Sequence, residues 1–171
     1  LGEVAHRRGA TFEIAVEPVL GVECKVFKNR LGHVREVLTT YTDRHGDLPN
    51  LVFPDITLTF EDVKASTARV AAWLADHGVV KGDRVAFASA NVSGAVVSSL
   101  NGWWTPAELL HGVELSGPRI VLADGPRMKR LLEAGLPAEV EVHELAELEH
   151  LLGPARADDP ALPDVAIDED D

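Results

Sequence analysis

Apolar and polar residues alternate over positions 12–16 and again over 22–27, with Pro18-Val19-Leu20-Gly21 between them. A period of two marks strands with one covered face, so these segments predict a small β-hairpin. The period then changes. Val34, Val37, Leu38 and Tyr41 fall at helical spacing, and Gly46 follows as a stop signal. Short strands are expected at 51–53 and 57–59, around Pro54-Asp55. The clearest helix begins at Thr59, whose hydroxyl can cap the first turn while Asp62 reaches back to it. Phe60, Val63, Thr67, Val70 and Leu74 line one face of that helix, with Ala71 beside them, and Gly78 closes it.

Beyond the turn at Lys81-Gly82-Asp83, residues 84–89 and 95–100 read as buried strands. Thr105-Pro106-Ala107-Glu108 carries the signals of a second helix start: an N-cap, a proline at the first helical position and a glutamate at the third. That helix should end near Ser116-Gly117. A buried strand at 119–123, a helix at 127–133, a short strand at 140–142 and a helix at 144–152 complete the pattern, and Pro, Ala and Asp dominate from Gly153 onward. Strands alternating with helices predict an α/β fold, a largely parallel sheet with flanking helices, preceded by the hairpin. The expected organisation is a hairpin extension over 1–30, a partial α/β unit over 31–153 and a linker over 154–171.

One place conflicts with this plan. The strand ending near Ala90 and the next, starting near Ala95, are joined by Asn91-Val92-Ser93-Gly94 alone. A parallel crossover needs about a dozen residues or more, so four permit only an antiparallel hairpin. Two wholly apolar strands seldom pair that way in a helix-coated sheet. Either this pair is antiparallel, or a segment is missing between Asn91 and Val92; the second reading fits the pattern better.

Composition narrows the function. The 171 residues carry a formal net charge of −12, which disfavours nucleic acid and anionic lipid as partners. The single cysteine, Cys24, rules out an internal disulfide framework and suits a reducing compartment, hence a cytoplasmic protein. No apolar run reaches the ~18 residues of a transmembrane segment.

Candidate chemistry is sparse. Gly78-Val79-Val80-Lys81-Gly82 places glycines beside a lysine but lacks the strand–loop–helix spacing of a phosphate loop, so it reads as a turn. His143 and His150, with Glu144 and Glu147 between, are spaced too far apart for adjacent helical turns and read as a solvated face. Trp103 and Trp104 fit one core position and one surface that packs under a neighbouring subdomain, ahead of an acyl channel. Cys24 reads as an inert thiol. Ser89, Ser93, Ser98 and Ser99 lack a nucleophile-elbow context. Asn91-Val92-Ser93 matches a glycosylation acceptor that carries no meaning in a cytoplasmic protein, and Arg7-Arg8 is too short for a membrane patch. No catalytic, cofactor-binding or metal-binding residue is assigned.

Three runs together carry a resemblance. They are Leu58-Thr59-Phe60-Glu61-Asp62-Val63, Val70-Ala71-Ala72-Trp73-Leu74, and Val80-Lys81-Gly82-Asp83-Arg84-Val85-Ala86. In that order they resemble the opening of the class I adenylate-forming superfamily of acyl-CoA synthetases, peptide-synthetase adenylation domains and luciferases. Gly94-Ala95-Val96-Val97, Leu100-Asn101-Gly102-Trp103-Trp104-Thr105-Pro106-Ala107-Glu108-Leu109 and Ser116-Gly117-Pro118-Arg119 continue the likeness. The double tryptophan and Gly21-Val22-Glu23-Cys24-Lys25-Val26-Phe27-Lys28-Asn29 are similar to its fatty-acyl-CoA ligase branch.

The resemblance implies part of the large N-terminal domain of an adenylate-forming enzyme. Its activity would be that of an acid–thiol ligase using ATP, Mg2+ and coenzyme A on a fatty acid. It also implies a helix between the strands flanking Asn91 and Val92, where this sequence is about a dozen residues short. The run 164–171 resembles the lead-in to the family's phosphate loop, which would follow it, as would the catalytic lysine. The chain by itself is therefore expected to be inactive and to bind none of these cofactors, with the hairpin as a possible homodimer element. Two other readings stay open: a non-catalytic α/β module binding an acyl group or a protein, and a free-standing flavodoxin-like domain. A phosphate loop following Asp171 in the gene would separate the first reading from the second. A closed sheet with no bare apolar face would mark the third.

Overall fold

The computed structural model describes residues 9–89, 98–101 and 103–167. The chain divides into two compact units, Leu1–Lys64 with Asp164–Asp171, and Ala65–Pro163.

In the first unit, β1 (Ile14–Val19) and β2 (Val22–Phe27) form an antiparallel hairpin. Its turn is the two residues Leu20-Gly21, with φ of 49° and 80°. Positive φ at both central positions matches the twist of the flanking strands, and glycine adopts it without strain. The strand therefore runs on through Pro18 and Val19, which the sequence had placed in the turn. Helix α1 (Val34–His45) follows, capped by the ring of His33, which accepts from Glu36 N–H. A second hairpin pairs β3 (Pro49–Val52) with β4 (Thr57–Thr59). The main-chain bonds Phe60 N–H to Leu48 O and Glu61 N–H to Gly46 O tie it to the end of α1.

Helix α2 (Phe60–Asp76) starts as the sequence predicts: Thr59 Oγ1 accepts from Asp62 N–H, and the Asp62 carboxylate accepts from Thr59 N–H at 2.9 Å. Its covered surface is wider than the predicted face: Val70 and Leu74 pack against the core as expected, but the deepest burial lies on other positions. Ala65, Ser66, Ala68 and Arg69 are buried and Thr67 is exposed.

The second unit is built on a four-stranded parallel sheet, β5 (Val85–Ala88), β6 (Ser98–Ser99), β7 (Ile120–Ala123) and β8 (Glu141–Glu144), in the order β6-β5-β7-β8. Helices α3 (Pro106–Ser116) and α4 (Gly125–Ala134) and a 3₁₀ helix, Leu145–Leu151, complete it. The last was expected as an α-helix. The alternation of side chains along each strand sorts the core into two layers. Ala86, Ala88, Val121 and Ala123 pack with Leu109, Val113 and Leu131 of α3 and α4. Ile120 and Leu122 point the other way, toward Leu148, Leu151 and the Val70, Trp73 and Leu74 side of α2. All four residues of β7 are buried, as a central parallel strand requires.

β5 and β6 are parallel, Ala86 opposite Ser98 and Phe87 opposite Ser99. The antiparallel alternative for this pair is thereby overturned. β5 ends at Ala88 and β6 starts at Ser98, so nine residues, 89–97, link the two, against the dozen or so that a parallel crossover usually takes. The expected discontinuity between Asn91 and Val92 lies outside the described residues, as do the Asn91-Val92-Ser93 motif and Arg7-Arg8.

Candidate functional site

The topology itself marks one place where a ligand could sit. From β5 the chain goes to β6 on one side and returns to β7 on the other, so the strand order reverses between β5 and β7. In open α/β sheets the crevice outside the carboxyl ends of such a pair is the usual binding position. Here the described part of that edge is closed by its own side chains. Asp124 follows β7 and donates its N–H to Ala88 O at 3.2 Å, bridging the two strand ends. Its carboxylate accepts from Arg127 N–H at 3.1 Å and from Arg127 Nη1 at 2.8 Å. Glu144, at the end of β8, lies against the start of α4: its Oε1 is 2.9 Å from where a side chain at Gly125 would begin. Two carboxylates and one guanidinium at this edge do not suit a polyphosphate.

The helix N-termini tell the same story. A phosphate needs free backbone N–H groups and the positive end of a helix dipole. At α3, Thr105 Oγ1 accepts from Glu108 N–H, and the Glu108 carboxylate accepts from Thr105 N–H at 2.8 Å and from its hydroxyl at 2.8 Å. Those two bonds, the backbone one first, hold the Glu108 carboxyl below its usual value. Asp124 fills the same role at α4, and Thr59 with Asp62 at α2.

The Gly78–Gly82 turn is equally spent. Gly78 N–H donates to Ala75 O, Val79 N–H to Leu74 O, Asp83 N–H to Val80 O, and Val80 N–H to the Asp83 carboxylate. Among the described residues, then, the groups present do not fit ATP with its magnesium.

The remaining candidates fall into place individually. Trp104 is half-buried against the α3–α4 layer, and its carbonyl accepts from Arg130 Nη1 at 2.8 Å, while Trp103 is 87% exposed. The pair thus divides between core and surface. His143 is not on a helix: it stands on β8, half-buried, in an aromatic cluster with Trp73 and His77. The Trp73 and His77 rings stack with centroids 3.9 Å apart, and the His143 ring stands nearly perpendicular to both, with centroids at 4.9 and 5.1 Å. His150 is in the 3₁₀ helix, bonded through Nδ1 to Glu147 O. No group of three or more metal-ligating side chains is assembled among the described residues. Cys24 is a half-buried free thiol on β2, and Ser89 is half-buried just past β5. Ser98 and Ser99 form β6, and Ser93 lies outside the described residues.

Sequence reasoning missed one heavily bonded side chain of the second unit. Arg69, on α2, is 6% exposed and makes bonds to Asp159 through both carboxylate oxygens, to Leu151 O, to Gly153 O and to Ser66 Oγ. The signal was an arginine on the covered stripe of a helix, between Ala68 and Val70, where a charge must be paired to be tolerated.

This α/β unit, with its hairpins ahead of it, is the fold of the amino-terminal domain of adenylate-forming enzymes, and the comparisons agree. Residues 38–171 match the family model described as AMP-binding enzyme. The chain belongs to that family.

Among individual relatives, it is 32% identical over 134 residues to the acyl-CoA ligase sidI of Aspergillus fumigatus, which covers 70% of this chain and 20% of that protein. It is 33% identical over 125 residues to 4-coumarate–CoA ligase 5 of Oryza sativa subsp. japonica, covering 66% and 23%. The chain thus spans about a fifth of the length of these relatives. A fatty acyl CoA synthetase of Mycobacterium tuberculosis superposes with a TM-score of 0.60 at 23% identity, over 74% of this chain and 29% of that one. The N-terminal domain of FACL13, from the same organism, does so at 0.65 and 23%, over 81% and 39%. No helix among the described residues is long and apolar enough to cross a membrane.

Proposed function

We propose that this chain is the amino-terminal part of a cytoplasmic ATP-dependent fatty-acyl-CoA ligase. In this reading the whole enzyme joins a fatty acid to AMP with loss of pyrophosphate, and the thiol of coenzyme A then displaces AMP. The observation that carries the proposal is the family match over 38–171, from α1 past the end of β8. The curated relatives named as CoA ligases support the thioester half of the reaction, and the double tryptophan and the Gly21–Asn29 run support a fatty acid over an aryl one.

The contribution of these residues is a scaffold. The parallel sheet and its two helical layers set the floor of the domain, and residues 154–171 lead toward the phosphate-binding loop. The chain alone is inactive. Among the described residues, the helix N-termini and the Gly78–Gly82 turn are occupied by their own caps and offer no cradle for the nucleotide charge that must be neutralised as the carboxylate attacks.

The test is ATP–pyrophosphate exchange with the 171-residue chain and with the longest reading frame containing it, each given fatty acids of several lengths and 4-coumarate. Exchange by the longer protein with fatty acids only, and none by the chain, is the expected result. Exchange with 4-coumarate alone would overturn the fatty-acyl assignment. Exchange by the isolated chain would overturn its inactivity.

A further inference from the structure

The hairpin β1–β2 has one edge built for pairing and one that is not. Lys28 N–H donates to Glu13 O at 2.8 Å, and these two residues stand directly opposite in the register that pairs Ile14 with Phe27. Antiparallel pairs alternate between bonded and non-bonded. The main-chain groups of Ile14, Val16 and Pro18 on β1, and of Glu23, Lys25 and Phe27 on β2, therefore point away from the hairpin. On β1 that outer row is interrupted at Pro18, which has no N–H to give. On β2 it is uninterrupted from Glu23 to Lys25 and ends at Phe27, whose carbonyl is taken by Arg30 N–H at 3.3 Å and Arg30 Nη1 at 3.1 Å.

The charges single out the same window. Glu13 is paired with Lys28 and Glu17 with Arg30, each at 3.0 Å. Glu23 and Lys25 are both exposed, and neither has a hydrogen-bond or ion-pair partner among the described residues. They carry opposite signs two positions apart on one face, the face that also exposes Ile14, Val16 and Phe27.

We propose that the outer edge of β2 pairs antiparallel with the same edge of a second copy of this chain, about a two-fold axis at Cys24, making a four-stranded sheet. Charge selects that register. With the axis at Cys24, Glu23 of each copy stands opposite Lys25 of the other, twice, in bonded pairs. An axis at Lys25 or at Glu23 sets like charges against each other, which is destabilising. The pairing also extends a sheet that is two-stranded among the described residues, a marginal arrangement by itself, and it joins the two apolar faces into one strip. The interface is small, so the dimer is reversible and concentration-dependent. It places the two Cys24 residues in a non-bonded cross-strand pair, with Cα atoms ~4.5 Å apart, inside the range a disulfide can span. The proposal is independent of which acid the enzyme takes.

Sedimentation velocity over a wide concentration range, with mild oxidation as a geometric readout, tests it. The chain should dimerise reversibly. Glu23→Lys and Lys25→Glu should each weaken the dimer roughly tenfold or more, since each reverses two charge pairs at once. The double variant should restore it. Oxidation should cross-link Cys24 to Cys24 in the parent and the double variant, and far less in the single variants. A chain that stays monomeric at the highest concentration overturns the proposal. So does a dimer indifferent to the single charge reversals, because its contact would lie elsewhere.

Discussion

Arg69 and Asp159 stand 90 positions apart in the chain and meet in two hydrogen bonds, of 2.6 and 2.7 Å, from one guanidinium nitrogen to both carboxylate oxygens. The guanidinium also donates to Leu151 O and Gly153 O, so one side chain on α2 fastens the segment that leaves the 3₁₀ helix. Without it, two buried carbonyls and the Ser66 hydroxyl would lose a partner.

Replacing Arg69 by Met keeps the stem and removes the charge. Breaking a buried pair from one side typically costs about 3–5 kcal/mol, so the expected loss in chemical denaturation is about 3 kcal/mol. Proteolysis should cut first within 152–163. A variant as stable as the parent would mean that this segment is held by something else.

The same contact predicts a pH dependence. The Arg69 side chain, and next the Arg156 backbone N–H, hold the Asp159 carboxyl below its usual value of 3.8. A carboxyl whose folded pKa lies below its unfolded one stabilises the fold above the unfolded value, and that contribution is lost as pH falls through the folded one. Stability should therefore decline as pH drops below about 4, and Asp159→Asn should flatten this decline relative to the parent. Parallel profiles for the two proteins would count against the linkage.

The fold was largely legible because its signals are local. The Thr105-Pro106-Ala107-Glu108 start and the Gly117 stop set α3 at Pro106–Ser116, as expected. The Thr59 and Asp62 reciprocal cap was equally readable. What escaped was non-local. The partner of Arg69 lies in a proline-rich stretch whose sequence reads as linker. His143 looked helical because Glu144 to Leu152 is rich in helix formers, yet parallel pairing of His143 with Leu122 holds it in β8. The direction of β6 was ambiguous for the same reason: the short link allowed only an antiparallel pair, while the wholly apolar pattern favoured a parallel one with a segment missing, and the two strands are parallel.

A test of the α3 cap follows from Thr105. Its hydroxyl serves Glu108 N–H and its backbone N–H serves the Glu108 carboxylate. Thr105→Ala should cost about 1 kcal/mol, and Thr105→Ser should recover most of it, because the oxygen and not the methyl group does the capping. Equal losses in both variants would point to packing of the methyl group instead.

Gly112 sets two effects of comparable size against each other. It sits inside α3, where Ala in place of Gly normally gains up to about 1 kcal/mol. But a Cβ there would lie 2.7 Å from Trp104 Cζ3 and 3.0 Å from Leu100 Cδ2. Leu100 belongs to the buried layer between α3 and the sheet, and Trp104 packs against it with its carbonyl held by Arg130, so neither neighbour is a free surface side chain. Overpacking of this kind costs about 1–3 kcal/mol. The clash should win, leaving Gly112→Ala destabilised by about 1 kcal/mol despite its better helix propensity. Pairing it with Trp104→Phe, which trims the ring that meets the new methyl group, should make the cost of the alanine smaller than in the parent background. If Gly112→Ala proves stabilising in the parent, the close approach of α3 to Trp104 is not what keeps a glycine at this position.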